Sequence, residues 1–279
     1  MNDIRLFMCC HNGYGVIPPL CQPIQCGSEL NLPVKGAIPD NTGDNISVKN
    51  REYCELTAHY FVWKNICADY YGFCHYRRFF CINESVKKPY LALGELRKCA
   101  KLLGDENSWR KLIQENEIVA PRSEDMGISV KEHYCTSKYH YSSDLELFLS
   151  ILDKKAPFLS HAAGEYLTQN RQYFCNMFIM NREHFFEYCG ILFPVLEEFD
   201  RCKTLHGDFQ SDRTDGYLGE VFTGIYISYC RDNGARIKEF SRLDINCSVK
   251  KRILYTLLPP ESRIRFGVKK FVKRIQSRG

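Results

Sequence analysis

The 279-residue chain is predicted to be an α/β protein, because short apolar runs alternate along it with segments whose apolar residues recur at helical spacing. This alternation is typical of a largely parallel sheet that is covered by helices on both faces. Hydrophobic residues make up 44% of the chain, which is enough to bury a full core. We expect one domain over residues 1–245, followed by a tail of different composition over residues 246–279.

The first predicted elements are two strands and a helix. Ile4–Cys10 is apolar and ends in a polar turn that starts at His11, as expected for a strand whose end points into a cleft. Residues 23–26 are a candidate second strand, and residues 39–47 form a loop of short polar side chains. Asn50 is the predicted N-cap of an amphipathic helix that ends near Asn65.

The next segment, residues 69–80 (DYYGFCHYRRFF), is apolar and strand-like until it reaches His75, Tyr76, Arg77 and Arg78. Ligands of α/β proteins bind outside the carboxyl ends of such strands. Guanidinium groups keep their charge and match phosphate oxygens with paired donors. The motif therefore predicts a phosphate site. The alternative is two surface arginines beside a core strand, one of them paired with a structural carboxylate.

The second half of the domain continues the alternation. Residues 118–120 are a predicted strand, and residues 143–146 (SDLE) form a capping-box pattern that leads into a helix. Residues 173–180 are almost wholly apolar, which favours a strand buried on both faces with Asn176 as its polar interruption. Helices are predicted over residues 183–199 and 216–231.

The tail is predicted to be a basic amphipathic helix. After Pro260 one apolar stripe at helical spacing is flanked by lysines and arginines, and it consists of Ile264, Val268, Phe271, Val272 and Ile275. Such a helix suits the anionic surface of a membrane. The alternative is a helix that docks on the body of the protein itself.

Charge and cysteine content limit the possible functions. A net charge of only +5, with basic residues spread along the chain except for a concentration after Ser262, argues against a nucleic-acid partner. The 15 cysteines include no Cys-x-x-Cys pair and follow no signal peptide, so we expect reduced thiols in a cytoplasmic protein and no zinc site. No apolar stretch approaches the roughly 20 residues that a membrane-spanning helix needs.

Several separate motifs carry a resemblance to a known family. They are residues 9–11 (CCH), 23–27 (PIQCG), 40–47 (DNTGDNIS), 53–57 (YCELT), 63–65 (WKN), 74–78 (CHYRR) and 176–180 (NMFIM). With them the chain resembles the DUF4422 family of bacterial capsular-polysaccharide and O-antigen glycosyltransferases. The resemblance implies a GT-A-like, Rossmann-like fold, a nucleotide-sugar donor and a growing glycan as acceptor, with galactofuranose transfer known among relatives.

The resemblance also bears on metal dependence. Most GT-A enzymes carry an Asp-x-Asp metal motif where a central strand ends, whereas this chain has the residues from His75 to Arg78 there. We expect no required cofactor and no protein metal ligands, with the donor UDP-sugar as a substrate; the need for a divalent metal stays open.

Candidate site residues follow from the chemistry of glycosyl transfer, which needs charge stabilisation of a departing diphosphate and, for inversion, a base near the acceptor hydroxyl. Glu220 is the preferred base, with Asp44 and Asp215 as rivals; the alternative for Glu220 is a solvated helix carboxylate. The predicted donor-binding residues are His11, Asp40, Thr42, Asp44, Asn45, His75, Tyr76, Arg77 and Arg78. The loop residues among them form, in the alternative, only a self-bonded turn. The predicted acceptor-binding residues are His140, Asn176, Asp215 and Tyr217.

The main functional hypothesis is an inverting transferase that moves galactofuranose or another hexose from a UDP-sugar to a lipid-linked oligosaccharide, in capsule, O-antigen or exopolysaccharide synthesis. It would act as a peripheral protein at the inner face of the cytoplasmic membrane. A retaining transferase is an alternative, and it would not need Glu220 as a base. A non-catalytic protein that binds nucleotide sugar or glycan within an assembly complex is the alternative from another class.

Overall fold

The computed structural model describes residues 2–83, 85–86, 90–92, 100–207, 213–245 and 248, and these form a mixed α/β protein, as predicted. The strands are β1 (Ile4–Cys10), β2 (Cys21–Gln25), β3 (Ile38–Pro39), β4 (Tyr70–His75), β5 (Arg78–Cys81), β6 (Tyr90–Ala92), β7 (Ile118–Pro121), β8 (Glu124–Asp125), β9 (Arg171–Gln172), β10 (Phe178–Asn181) and β11 (Ile237–Asp244). The helices are α1 (Asn50–Tyr53), α2 (Leu56–Asn65), α3 (Ala100–Leu103), α4 (Glu106–Glu115), α5 (Val130–Thr136), α6 (Ser142–Lys155), α7 (Ser160–Thr168), α8 (Arg182–Cys202) and α9 (Thr214–Asp232).

The main sheet is mixed rather than largely parallel, which corrects the sequence-based expectation. β1 lies between β2 and β4 and is parallel to both. β10 is antiparallel to β4 and β7, and β5 is antiparallel to β4 and β11. These pairings, together with the parallel pair β7–β11, close a ring of five strands, and β1, β2 and β3 extend from it as an open sheet.

Strand direction decides which residues meet at one end of the sheet. β1, β2, β4, β7 and β11 all end there, whereas β5 and β10 begin there because they run the other way. We call this end the carboxyl edge. The turn from β4 to β5 lies at it, where His75 pairs with Arg78 across Tyr76 and Arg77.

Both faces of the sheet are buried, as predicted. Along β1 the side chains alternate, so that Phe7 and Cys9 join one hydrophobic cluster and Leu6 and Met8 join another. The first cluster contains apolar residues of α2, α5, α6, α7, α8 and α9, and the second is covered by α3 and α4. Helices therefore pack on both sides of the sheet.

The predicted boundaries hold for some elements and fail for others. The first strand is confirmed as Ile4–Cys10. Asn50 is not an N-cap: it is the first residue of α1, and its amide donates to the carbonyl oxygen of Cys54, where the chain breaks before α2. The capping box at residues 143–146 is also wrong, because α6 already begins at Ser142 and its N-cap, Tyr141, makes no side-chain capping bond.

The predicted long strand over residues 173–180 is replaced by a turn and a short strand. Only Phe178–Asn181 pairs within the main sheet as β10. Cys175 and Asn176 have positive φ angles, which a strand does not accommodate. Side-chain contacts of Asn176, described below, hold this turn.

Three further predictions concern cysteines, membrane spans and the tail. Every cysteine that the structure describes is a free thiol, as expected. Within the described residues, none of the helices has the length and apolar character needed to cross a bilayer. The predicted amphipathic tail, residues 246–279, lies outside the described residues apart from Ser248.

Candidate active site

The carboxyl edge gathers polar residues from distant parts of the chain. β1 and β4 are parallel neighbours, so His11, directly after β1, and His75, at the end of β4, share this edge. Asn176 reaches it from the turn before β10, and Asp244 from the end of β11. Ligands of α/β proteins bind at such an edge.

A backbone carbonyl fixes the ring of His75. Its Nε2 lies 2.7 Å from the carbonyl oxygen of Cys175. Because a carbonyl oxygen can only accept, Nε2 must carry the hydrogen of this bond. An oxygen of Glu55 lies 3.7 Å from the same nitrogen. Burial lowers the pKa of His75, and the charge of Glu55 opposes that shift. The ring is thus held in one tautomer next to a buried carboxylate.

Glu55 is a site residue that the sequence-based predictions missed. It directly precedes α2, and its Oε1 accepts a 2.8 Å hydrogen bond from the side-chain amide of Asn176. Burial alone would raise the pKa of Glu55, but the charge that His75 carries when protonated and the hydrogen bond from Asn176 outweigh burial and lower it. Glu55 is therefore ionised at neutral pH. Its signal in the sequence was a lone acid within the otherwise uncharged motif YCELT.

The turn that joins these residues has a strained backbone. Cys175 and Asn176 have φ angles of 79° and 44°, a region that costs non-glycine residues about 1–3 kcal/mol each. The side chain of Asn176 holds the turn, since it also donates to the carbonyl oxygen of Gly216 and accepts from Thr223. The turn presents its carbonyl oxygen to His75 and the N–H of Cys175 to Glu220, and it thereby fixes both.

Glu220 lies in the second turn of α9 and remains partly exposed. Its Oε1 accepts a 3.0 Å hydrogen bond from the backbone N–H of Cys175. Burial, with the negative charge of Glu55 as a second cause, raises the pKa of Glu220 to about 7, against the opposing charge of Arg78. A carboxyl group that titrates near neutral pH suits a general base.

The two adjacent arginines have different environments. Arg78 Nε lies 3.5 Å from Asp244 Oδ1, so Arg78 pairs with a structural carboxylate while keeping 39% of its side chain exposed. Arg77 is exposed and lies over the ring of Tyr76, with 4.9 Å between the guanidinium carbon and the ring centroid. Among the described residues, no carboxylate forms an ion pair with Arg77. Its guanidinium is therefore available to an anion at the carboxyl edge.

An open groove adjoins the same edge at the ends of β1 and β2. It has a volume of about 770 Å³ and is lined by residues 12–14 and 30–35. His11 directly precedes Asn12 of the groove lining, and His11 is close enough to His75 for its charge to contribute to the lowered pKa of His75. His11 therefore links the groove lining along the chain to the cluster around His75.

The polar loop at residues 40–47 lies mainly apart from this cluster. Asp40 is fully buried, and its carboxylate accepts from the N–H groups of Gly27 and Ser28 and from the hydroxyl of Ser47. Asp44 accepts from the hydroxyl of Tyr60, on α2.

The rest of this loop bonds to itself and to the far end of α2. Asn45 donates to the carbonyl oxygen of Gly43, and Thr42 is exposed. The N–H of Asp44 donates to Asn65, the last residue of α2, whereas Glu55 precedes the first residue of this helix. The ten residues of α2 span about 15 Å, so Asp44 and Glu55 lie at opposite ends of this helix. Glu220 lies near Glu55, whose charge contributes to its raised pKa, and the structure therefore does not bring Asp44 to Glu220.

Aromatic residues stack beside α9, where acceptor binding was predicted. The ring of His140 lies 4.1 Å from that of Tyr217 and 4.5 Å from that of Tyr134. Burial lowers the pKa of His140 to about 4, so its ring is neutral at physiological pH. Tyr141 and His206 form a second stack, with 3.6 Å between ring centroids. His140 and Tyr217 are both partly exposed, whereas Tyr134 is buried, and we call the pair of His140 and Tyr217 the aromatic wall.

Asp215 has a different environment from the other predicted acceptor residues. It is fully buried, and its Oδ2 lies 3.1 Å from Lys203 Nζ. Lys203 also contacts Glu52 at 2.9 Å and Asp200 at 2.7 Å. In the part of the chain that the structure describes, these three acids are the only group spaced to hold a metal ion. The ammonium group of Lys203 already supplies a positive charge that balances these acids. Burial and the charge of Asp200 raise the pKa of Asp215 to about 7.

The structure therefore brings some predicted site residues together and keeps others apart. His75, Arg78, Asn176 and Glu220 converge on the turn at Cys175, and His11 adjoins them. Asp40, Asp44 and Asp215 are engaged in contacts elsewhere. Glu55 was missed, as was the buried Arg242, which pairs with Glu124 at 2.8 Å and with Asp244 at 3.3 Å.

Comparison with known proteins gave one family and one structural match of note. The model of a family described as "Domain of unknown function (DUF4422)" matches residues 5–232. The apo structure of the WbbM bifunctional glycosyltransferase aligns with a TM-score of 0.81 and 27% identity, over 88% of this chain and 46% of that chain. This chain thus spans about half the length of that structure. No curated protein matched.

Proposed function

Because this chain belongs to the DUF4422 family and resembles a solved glycosyltransferase structure over most of its length, we propose that it is a glycosyltransferase. It transfers a hexose, galactofuranose or another, from a UDP-sugar to a lipid-linked oligosaccharide, with inversion of the anomeric centre. The observation that carries this proposal is the convergence of Glu220, His75 and two arginines on the edge of the sheet where α/β proteins bind ligands.

The groove beside β1 and β2 is the proposed donor nucleoside site. Its volume suits a nucleoside, and its lining residue Asn12 directly follows His11, which adjoins the cluster around His75. The diphosphate would then lie against Arg77 and Arg78, whose charges offset those of the phosphates. Arg77 makes the direct contact in this proposal, because Arg78 is already shared with Asp244.

Glu220 is the proposed base. It takes the proton from an acceptor hydroxyl while the hydroxyl oxygen forms a bond to the anomeric carbon of the donor sugar. The bond between that carbon and the diphosphate oxygen breaks, and UDP leaves with the bonding electrons. The pKa of about 7 supports this role, since the group is a carboxylate at and above neutral pH and can still accept a proton.

The aromatic wall of His140 and Tyr217 is the proposed acceptor site. Sugar rings present C–H groups to aromatic faces, and these two rings remain partly exposed. Asn176 lies between this wall and Glu55, and it positions the site without being free to bind sugar, since its amide is already bonded. Asp215 supports the start of α9 through Lys203.

Leaving-group stabilisation is proposed to need no divalent metal. Among the described residues, the acids that are spaced to hold a cation surround Lys203, while the carboxyl end of β4 carries cationic side chains instead of carboxylates. Acting on a lipid-linked acceptor, the protein would work at the inner face of the cytoplasmic membrane, where its basic tail binds anionic lipid.

Donor turnover tests this proposal. Purified protein is incubated with a detergent-solubilised lipid-linked oligosaccharide and a panel of UDP-sugars that includes UDP-galactose and UDP-galactofuranose, with and without EDTA. We expect acceptor-dependent UDP release with one donor, unaffected by EDTA and reduced at least tenfold in Arg77→Ala. Arg201→Ala removes an exposed arginine of α8 and should retain full activity. Binding of a donor or glycan without any turnover would indicate an assembly scaffold instead.

A further inference from the structure

We propose that the protein takes up one proton at His75 Nδ1 when it binds the donor diphosphate, and that Glu55 is the positioning residue that supports this uptake. The inference rests on the proposed function, because it requires the diphosphate to lie at the carboxyl edge.

The tautomer of His75 determines what its second ring nitrogen can bind. Nε2 donates to the carbonyl oxygen of Cys175, so the other nitrogen of the neutral ring carries a lone pair. Among the described residues, none forms a hydrogen bond with Nδ1, and the side chain is 13% exposed. A lone pair repels a phosphate oxygen, whereas a protonated Nδ1 donates a charge-assisted hydrogen bond to it. Only the imidazolium is complementary to the proposed ligand.

The net charge of the His75–Glu55 pair also favours the protonated ring. With a neutral ring, the pair of His75 and Glu55 carries the full negative charge of the carboxylate. The dianionic diphosphate would approach this charge at a site where burial weakens screening by water. A proton on His75 makes the pair neutral overall while the ring faces the phosphate. Glu55 cannot turn away, because the amide of Asn176 holds its Oε1 at 2.8 Å.

The surrounding groups explain why the proton is absent before the ligand arrives. Burial lowers the pKa of His75, and the charges of Arg78 and His11 lower it further. His59, which is fully buried on α2, repels a proton on His75 only when it is itself protonated, and burial lowers the pKa of His59 to about 3. Glu55 and the bond to Cys175 act in the opposite direction. Glu220 also titrates near neutral pH, so an experiment must distinguish it from His75.

Isothermal titration calorimetry in two buffers of different ionisation enthalpy counts the protons. UDP-galactose and UDP-galactofuranose are the probes, because a diphosphate diester does not itself titrate near neutral pH. For wild type we expect an uptake that approaches one proton per bound donor, drawn from the buffer. The affinity should then weaken with rising pH, by at most tenfold per pH unit.

Four variants assign the proton. His75→Gln and Glu55→Gln should abolish or strongly reduce the uptake, and His75→Gln should make the affinity independent of pH. Glu220→Gln should retain the uptake. His161→Gln, at an exposed histidine of α7, should behave as wild type. If Glu55→Gln does not fold, the comparison of His75→Gln with Glu220→Gln still shows which of these two residues takes up the proton.

The outcomes separate this inference from the proposed function. Donor binding without proton uptake, or uptake that disappears in Glu220→Gln and survives in His75→Gln, would overturn the inference and leave the transferase intact. Failure of both probes to bind would overturn the inference together with the proposed donor site.

Discussion

Asp40 and Glu220 illustrate, at the scale of single residues, how the environment determines what a carboxylate does. The sequence-based prediction assigned donor binding to Asp40, which lies in a polar loop. Its carboxylate is instead fully buried and accepts three hydrogen bonds that tie the turn after β2 to this loop. Glu220 makes one hydrogen bond to the described residues and remains partly exposed. The first arrangement is that of a structural residue, and the second leaves an oxygen for chemistry.

Asp40→Asn should therefore destabilise the fold. The substitution replaces one acceptor oxygen with a donor that faces the N–H groups of Gly27 and Ser28 or the hydroxyl of Ser47. We expect the free energy of unfolding to fall by about 2–3 kcal/mol, because a buried donor loses its charged partner. Urea denaturation measures this change.

Asp44→Asn is the matched control, because Asp44 is exposed and Asn can still accept from Tyr60. It should change the free energy of unfolding by less than about 0.5 kcal/mol. If Asp40→Asn were equally mild and weakened donor binding instead, Asp40 would have the ligand role that the sequence suggested.

At the scale of elements, the sequence predicted what local pattern determines. β1 is apolar except for the exposed Arg5, its other side chains are buried on both faces, and its bounds were correct. α9 was predicted within two residues of its observed ends, from a continuous helical stripe. The sequence pattern that predicts each of these two elements lies entirely within the element itself.

Elements that depend on distant partners were missed. β5 begins at Arg78 because the chain turns back at Tyr76 and pairs with β11, more than 150 residues later. The turn at Asn176 looked like part of a strand because its apolar neighbours outweighed one amide, and the partner Glu55 lies 121 residues away. No local pattern contains those contacts. The site was predicted in part for the same reason: His75 and Glu220 were chosen for the chemistry of glycosyl transfer, whereas Glu55, although it lies in the motif YCELT, gains its role only through contacts with His75 and Asn176.

The contact between α7 and α9 allows a prediction at this scale. A methyl group added at Gly224 of α9 would lie 2.0 Å from the ring and hydroxyl of Tyr166 on α7. Tyr166 is buried and accepts a hydrogen bond from the N–H of Tyr173, so it has little freedom to move. Gly224→Ala should lower the free energy of unfolding by about 1–3 kcal/mol, measured by urea denaturation.

Gly164→Ala on α7 is the control for this prediction, since a methyl group there meets nothing within 4 Å. It should stabilise the protein by about 0.5–1 kcal/mol, because alanine loses less backbone entropy than glycine in a helix. Equal effects of the two substitutions would contradict the close packing of α7 against α9.

At the scale of the whole molecule, the ring of five strands positions a site that no single segment contains. β4, β5, β10 and β11 each contribute a side chain or a turn at the carboxyl edge, and α9 closes over it. The open part of the sheet, β1 and β2, supplies the adjoining groove. Donor and acceptor sites thus lie on either side of Glu220 in the proposed account.

The basic tail provides a prediction for the whole protein on a membrane. Replacing Lys269, Lys270, Lys273 and Arg274 by Gln should weaken binding to vesicles that contain anionic lipid. Each basic residue near such a surface contributes about 1 kcal/mol, so we expect at least a 100-fold loss in partitioning, measured by co-sedimentation. Replacing Lys154 and Lys155 of α6 by Gln should have little effect. If the tail variant bound as tightly as wild type, the tail would not be the membrane contact.

The most direct test of the central claim is the rate of sugar transfer at saturating donor and acceptor, measured against pH for wild type and Glu220→Gln. If Glu220 is the base, the substitution lowers kcat by about 10²–10⁴-fold while the donor still binds. The wild-type rate should also fall as the pH drops through about 7, because a protonated Glu220 cannot accept the hydroxyl proton. A Glu220→Gln protein that transfers sugar at nearly the wild-type rate, with the same pH dependence, would contradict the account.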